Sequence, residues 1–172
     1  MADKRKRLRN MVEISMIAAL YVALTFFSAA IGVAYSGIQF RISEVLTILP
    51  ILTPNAIPGL AIGCFISNLS SPFGLVDVVF GTISTIITAV LTRALRNIRF
   101  KDIPFLSFMP PVFLGAVSVG LIVSFFNLGK FYWPLFLPIF LNVFLSQFII
   151  CYILGIPFFI ILKKQEFYRR GG

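Results

Sequence analysis

Between Gln39 and Glu44 the chain carries an amide, an aromatic ring, a guanidinium, a hydroxyl and a carboxylate, on Gln39, Phe40, Arg41, Ser43 and Glu44, with apolar runs on both sides. An ionisable side chain near membrane hydrocarbon costs about 2.5–3.5 kcal/mol on insertion scales, so it normally has a charge partner, a water-filled cavity or a ligand. The stretch is therefore read as a ligand site. Asn68, Asp77, Asn142, Ser146 and Gln147 add polar groups expected toward the same outer half, and Phe40 and Trp133 add stacking surfaces. The set suits a planar, hydrogen-bonding, mostly neutral small molecule. A carboxylate accepting two parallel N–H bonds is the natural reader of a guanine-like edge, and Glu44 is the first choice for that role. Two plainer readings stand beside this one. Arg41 and Glu44, three residues apart, pair with each other at a helix start, and Asp77 is a helix N-terminal carboxylate favoured by the macrodipole.

No catalytic constellation accompanies these groups. Histidine is absent, which removes an HExxH zinc site and a Ser-His-Asp triad. A P-loop fails too, because Gly129-Lys130 would need a glycine where Ser124 stands; the chain cannot itself hydrolyse ATP by that route. Cys64 and Cys151 fall inside apolar runs and read as small buried residues rather than a disulfide or metal ligands. Neither a cofactor nor a catalytic residue is expected.

The elements that must position the polar groups follow from composition. The 172 residues are 59% hydrophobic and 12% charged, with a mean hydropathy of +0.98, so the chain is one domain whose solvent is the lipid bilayer. From Ile103 to Leu162 the sole charge is Lys130. The net charge of +9 resolves into three basic clusters, Lys4–Arg9, Arg93–Lys101 and Lys163–Arg170, which leave only Arg41 and Lys130 outside them. Clusters separated by groups of spans belong on the cytoplasmic side by the positive-inside rule, a topology signal rather than a nucleic-acid footprint.

Six transmembrane helices are expected, at about 11–34, 43–53, 55–71, 75–95, 104–126 and 135–162, behind a basic cytoplasmic tail at 1–10. Both termini are then cytoplasmic. The basic start resembles a signal peptide, but its apolar run is long and the small pair Ala34 and Ser36 is weak, so it is kept as the first span. On that span Ser15, Ala19 and Ala23 recur every four residues, a smooth stripe where another helix can approach, within the chain or from a partner. Pro54 and Pro58 interrupt the second apolar run, which is too short for a roughly 30 Å core and predicts a short or tilted helix. Gly59, Gly63 and Ser67 repeat the small-residue spacing, and Asn68–Gly74 is turn chemistry. Gly81, Ser84, Thr85 and Thr88 give the fourth span one polar face turned from lipid. Trp133 has the composition of an interfacial anchor as well as of a stacking surface, and Pro138 and Pro157 predict kinks in the last span.

Several strings together carry a resemblance: IQFRISEVLTILP, TPNAIPGLAIGCFISNL, FGLVDVVFGT and CYILGIPF. In them the chain resembles the QueT family, substrate-binding S components of energy-coupling factor (ECF) transporters, densely from Ala18 to Thr92 and thinly between Ile98 and Gln147. The resemblance implies a six-helix S component that captures queuosine precursors, 7-deazaguanine bases, in a bacterial cytoplasmic membrane. It also implies partners in trans, a transmembrane T component and two ATPase subunits, with the stripe at Ala19 and Ala23 as the docking face. Two positions depart from the family pattern: Gly115 stands where an Asn follows the Pro-Pro pair, and Ser146-Gln147 stands where a Gly-Glu pair precedes CY. An amide in place of a carboxylate removes a charge and adds a donor, so a cargo different from the family's usual precursor is expected, one that lacks its cationic arm or is a larger relative.

The leading expectation is thus a binding subunit of an ATP-driven importer, with Gln39, Phe40, Arg41, Ser43, Glu44, Asn68, Asp77, Trp133, Asn142 and Gln147 as substrate-binding residues. The alternative is a self-sufficient secondary transporter or channel with Glu44 and Asp77 as an ion relay. An intramembrane enzyme lacks the groups it would need.

Overall fold

Backbone in hydrocarbon must satisfy its own N–H and C=O groups, which makes helices of long apolar runs. The computed structural model is accordingly all-helical, and it describes residues 2–34, 40–100, 103–128 and 131–171, with side chains over 3–34, 40–100, 103–125 and 131–164. Four helical rods are long and apolar enough to cross a membrane: Asp3–Ala30, Gly74–Asn97, Phe105–Phe125 and Trp133–Lys164. Two shorter apolar helices, Ile42–Ile51 and Ala56–Asn68, lie between the first two rods.

The first helix runs Ala2–Ala30, so the basic segment expected as a tail continues it. Lys and Arg are good helix formers, and Arg7 pairs with Asp3 one turn away at 3.3 Å. The helix stops before the predicted 34 because Gly32 adopts φ +79°, a left-handed conformation that glycine reaches without a Cβ penalty and that caps helices. The amides of Val33 and Ala34 then return to the Ser28 carbonyl at 3.1 and 3.2 Å.

The segment expected as a short helix is a 3₁₀ helix, Ile42–Ile51, ten residues long with Pro50 inside it. Runs this long are uncommon, and the 3₁₀ rise of about 2.0 Å per residue stretches the segment to roughly 20 Å, where an α-helix would reach about 15 Å. It wedges into the middle of the fold. Leu46 joins Ile17, Tyr21, Leu60 and Cys64 in one apolar cluster, while Ile48 and Ile51 join Phe108, Val112, Tyr152 and Phe159 in another.

Helix Ala56–Asn68 packs parallel to the first helix. Its Gly59 lies against Ile14 and Ile17, and its Gly63 against Ala18 and Tyr21. At the start, Asn55 Nδ2 donates to Glu13 Oε2 at 2.6 Å and to Asn10 Oδ1 at 3.2 Å. A Cβ on residue 63 would sit 2.7 Å from Tyr21 Cβ and 3.1 Å from the Ala18 carbonyl. Gly63→Ala is therefore expected to lower stability by about 1–3 kcal/mol through overpacking, read as a fall in the thermal midpoint of the solubilised protein. Gly155→Ala, where a Cβ meets nothing closer than 3.4 Å, should leave it nearly unchanged.

The last two rods run antiparallel, with Gly120 against Phe136 and Phe113 edge-on to Phe140 at 6.1 Å. Two wide π-helical turns interrupt the rods, at Asp77–Gly81 and at Ile149–Leu154. The second precedes Pro157, whose ring has no N–H to return to the Ile153 carbonyl. The irregularity of the last rod is thus found upstream of Pro157, and Pro138 sits within the regular helix Trp133–Phe148.

Candidate functional site

One edge of the 3₁₀ helix supplies the first wall of a buried polar cavity. Arg41, extended at its N-terminal boundary (φ −103°, ψ 110°), is followed at three-residue intervals by Glu44 and Thr47. With 3.0 residues per turn such positions lie directly above one another. All three line the cavity, with Tyr21 from the first helix, Cys64 and Asn68 from the short helix, and Asp77, Gly81, Ser84, Thr85 and Thr88 from the rod Gly74–Asn97. Gly115, Ser118 and Gln147 close the far side. The cavity volume is about 50 Å³.

The entry to the 3₁₀ helix is clasped to the first helix. Ser28 Oγ accepts the Ile42 N–H at 3.0 Å, Thr25 Oγ1 lies 2.8 Å from Ser43 Oγ, and the Tyr21 hydroxyl donates to Glu44 Oε1 at 2.8 Å. Tyr21, Thr25 and Ser28 share a helix face because they are four and three residues apart. Thr25, Ser28 and Ser43 are fully buried.

Arg41 is the electrostatic centre. Its Nε donates to the Ala34 carbonyl at 3.1 Å, its Nη1 to Asn68 Oδ1 at 3.2 Å, and its Nη2 lies 3.5 Å from Asp77 Oδ2. Both side chains of that ion pair are over 90% buried, at 9% and 7% exposure. Asn68 in turn donates to the Asp77 backbone carbonyl at 3.0 Å, so the π-helical turn at Asp77 is tied to the end of the short helix. Gly81 leaves the space this needs, since a Cβ there would stand 2.6 Å from Asn68 Nδ2. Glu44 faces Tyr21 and the Gln147 side chain, and Gln147 faces Gly115, where a Cβ would stand 3.4 Å from Nε2.

Of the residues singled out in the sequence, Arg41, Glu44, Asn68, Asp77 and Gln147 meet in this cavity. Ser43 lies beside it, engaged with Thr25. Phe40 is half-buried with its amide bonded to the Val33 carbonyl, Asn142 is exposed, and neither belongs to the wall. Trp133, 66% exposed, packs edge-on against Phe131 and Phe136 at 5.1 and 5.7 Å, away from the cavity. Gln39 lies outside the described residues. Tyr21, Thr47 and Cys64 are wall residues that sequence reasoning passed over; the signals were the Tyr21, Thr25, Ser28 spacing and the Arg41, Glu44, Thr47 triplet.

A larger cleft of about 630 Å³ lies between the rod Gly74–Asn97 and helix Met109–Leu128. Phe80, Ile83, Ile87, Leu121 and Phe125 line it, and among the described residues its polar wall residues are Ser84 and Ser118. A polar ligand would lose its water there without replacing the hydrogen bonds. The charged cavity is the one whose walls offer hydrogen-bonding groups to such a ligand.

Comparisons with known proteins bear on what that site serves. No solved structure matches the chain. A curated protein of Lactococcus lactis subsp. cremoris, the queuosine precursor transporter QueT, is 38% identical over 99 residues, which is 58% of this chain. The alignment spans 57% of that relative's length, a little over half. The sequence pattern of the family described as QueT transporter matches residues 11–164, a stretch that contains every described wall of the cavity, and the chain belongs to the QueT transporter family.

Proposed function

We propose that the chain is a substrate-binding S component that captures a queuosine precursor, a 7-deazaguanine base, from the outer side of a bacterial cytoplasmic membrane. A T component and two ATPase subunits supply the drive for import. The observation that carries this reading is a polar cavity with a carboxylate, Glu44, set among membrane-spanning helices in a chain without a P-loop. The Arg41–Asp77 pair and Asn68 engage one another, and Glu44 and Gln147, which face each other, are the acceptor and donor groups read as meeting a planar heterocycle.

Six passes fit the packing. The first helix and Ala56–Asn68 run parallel, the 3₁₀ helix returns between them, and the three later rods alternate. Six passes of this kind would put Lys4–Arg9, Arg93–Arg99 and Lys163–Lys164 on one side, read as cytoplasmic by the positive-inside rule. Ser15, Ala19 and Ala23 are exposed on the first helix while Ile17, Ala18 and Tyr21 are buried, so the small-residue stripe faces outward, free for a partner helix. A cavity of about 50 Å³ is far below the roughly 300–1,000 Å³ of ordinary ligand pockets. Cargo entry therefore displaces side chains.

Calorimetric titration of the solubilised chain with 7-deazaguanine, queuine and guanine tests the cargo; saturable, selective binding supports it, and a folded protein that binds none of them refutes it. The docking face has its own test. Ala23→Leu is expected to leave the binding curve unchanged and to reduce uptake at least tenfold in vesicles containing the T component and ATPases. Unimpaired uptake in that variant would assign the stripe to ordinary packing, and uptake by the chain alone under an ion gradient would favour secondary transport.

A further inference from the structure

We infer that Tyr21 is the positioning residue of this site, its hydroxyl holding the Glu44 carboxylate in the orientation that meets the cargo. The inference rests on the reading of Glu44 as cargo acceptor given above. Tyr21 is fully buried, 0% exposed, and its hydroxyl donates to Glu44 Oε1 at 2.8 Å inside the cavity wall.

Glutamate has three side-chain torsions, and its own helix offers Glu44 a competing partner in Arg41, one 3₁₀ turn away. That guanidinium is already engaged by the Ala34 carbonyl, Asn68 and Asp77. A phenol is a neutral donor. It occupies one of the four or so lone-pair sites of a carboxylate, so acceptor sites of Glu44 remain for the cargo while its plane is fixed. A preorganised acceptor loses less conformational freedom on binding.

Tyr21 is rigid enough for this task. Its Cβ is wedged against Gly63, and one turn further along the same helix Thr25 contacts Ser43, the residue before Glu44. The two ends of the hydrogen bond are thus tied together through the neighbouring Thr25–Ser43 hydroxyl contact as well as through the phenol.

A double-mutant cycle on the full chain tests the inference with 7-deazaguanine as the probe. Tyr21→Phe is expected to weaken binding on the order of tenfold, as for loss of a hydrogen bond to a charged group, and to cost several-fold less in the Glu44→Gln background, where the hydroxyl meets only a neutral amide oxygen. Equal losses in both backgrounds, or no loss in either, would overturn the positioning role and leave Tyr21 as packing. Should Glu44→Gln alone leave affinity unchanged, the cargo role of Glu44 fails instead, and the two failures are told apart. If Tyr21→Phe does not fold, 3-fluorotyrosine at position 21 keeps the shape and makes the hydroxyl a stronger donor. Affinity should then change at least twofold when Glu44 is present and not in Glu44→Gln; no change in either would overturn the role.

Discussion

Arg41→Ala is expected to destabilise the protein by about 3–5 kcal/mol, the cost of breaking a buried ion pair and leaving one charge uncompensated. The Asp77 side chain is buried and its Oδ2 has the Arg41 guanidinium as its charge partner, with no hydrogen-bond donor among the described residues to replace it. The same change frees Asn68 Oδ1 and the Ala34 carbonyl from their donors. Thermal or denaturant unfolding of the solubilised protein reads the loss. The pair Arg41→Ala with Asp77→Ala should recover part of it, because no buried charge is then left alone. A double variant as unstable as the sum of the singles would show that the two side chains do not act together.

Glu44→Gln is the second large effect, and it falls on binding instead of folding. A hydrogen bond to a charged group contributes about 1.5–3 kcal/mol, so affinity for the cargo should fall on the order of 10- to 100-fold. Glutamine nearly preserves volume, and its amide oxygen can still accept from the Tyr21 hydroxyl 2.8 Å from Glu44 Oε1, so the thermal midpoint should change little. Calorimetry on wild type and variant in the same detergent separates the two quantities. Unchanged affinity would remove Glu44 from the cargo site, and a variant that no longer folds would make it part of the scaffold.

The contrast between these two residues was only partly legible in the sequence. Arg41 and Glu44 stand three apart, and a pair between them is the simplest local reading. The tertiary structure gives each a partner from elsewhere, Asp77 for Arg41 at 3.5 Å and Tyr21 for Glu44 at 2.8 Å. Local spacing names the neighbours a residue could reach; burial decides among them, because in a low-dielectric interior the best-placed donor or charge wins by several-fold more than in water. Asp77, which by position could have been a plain helix-start carboxylate, is drawn into the network because a π-helical turn at Asp77–Gly81 sets its carbonyl against Asn68.

Other expectations depended on helical phase. Gly81, Ser84, Thr85 and Thr88 read as one polar face in the sequence and do line the cavity, since their spacing suits an ordinary helix. Arg41, Glu44 and Thr47 would drift around an α-helix by about 60° per step of three, and they align only because the segment is 3₁₀. Nothing in their residue types announces that geometry. Trp133 and Asn142 were grouped with the site by polarity and expected depth, and the structure turns them outward.

By itself the sequence determined the solvent, the helical content and the chemistry that is missing, because each of these depends on composition summed over long windows. Long apolar runs require bilayer and helix, and a chain without histidine or a P-loop has no hydrolytic machinery of those kinds. Only the tertiary structure decided which polar groups meet. That depends on the phase of each helix about its axis and on close approach at single glycines such as Gly63 and Gly81, and a one-residue change of phase turns a side chain by about 100°, from the cavity toward lipid.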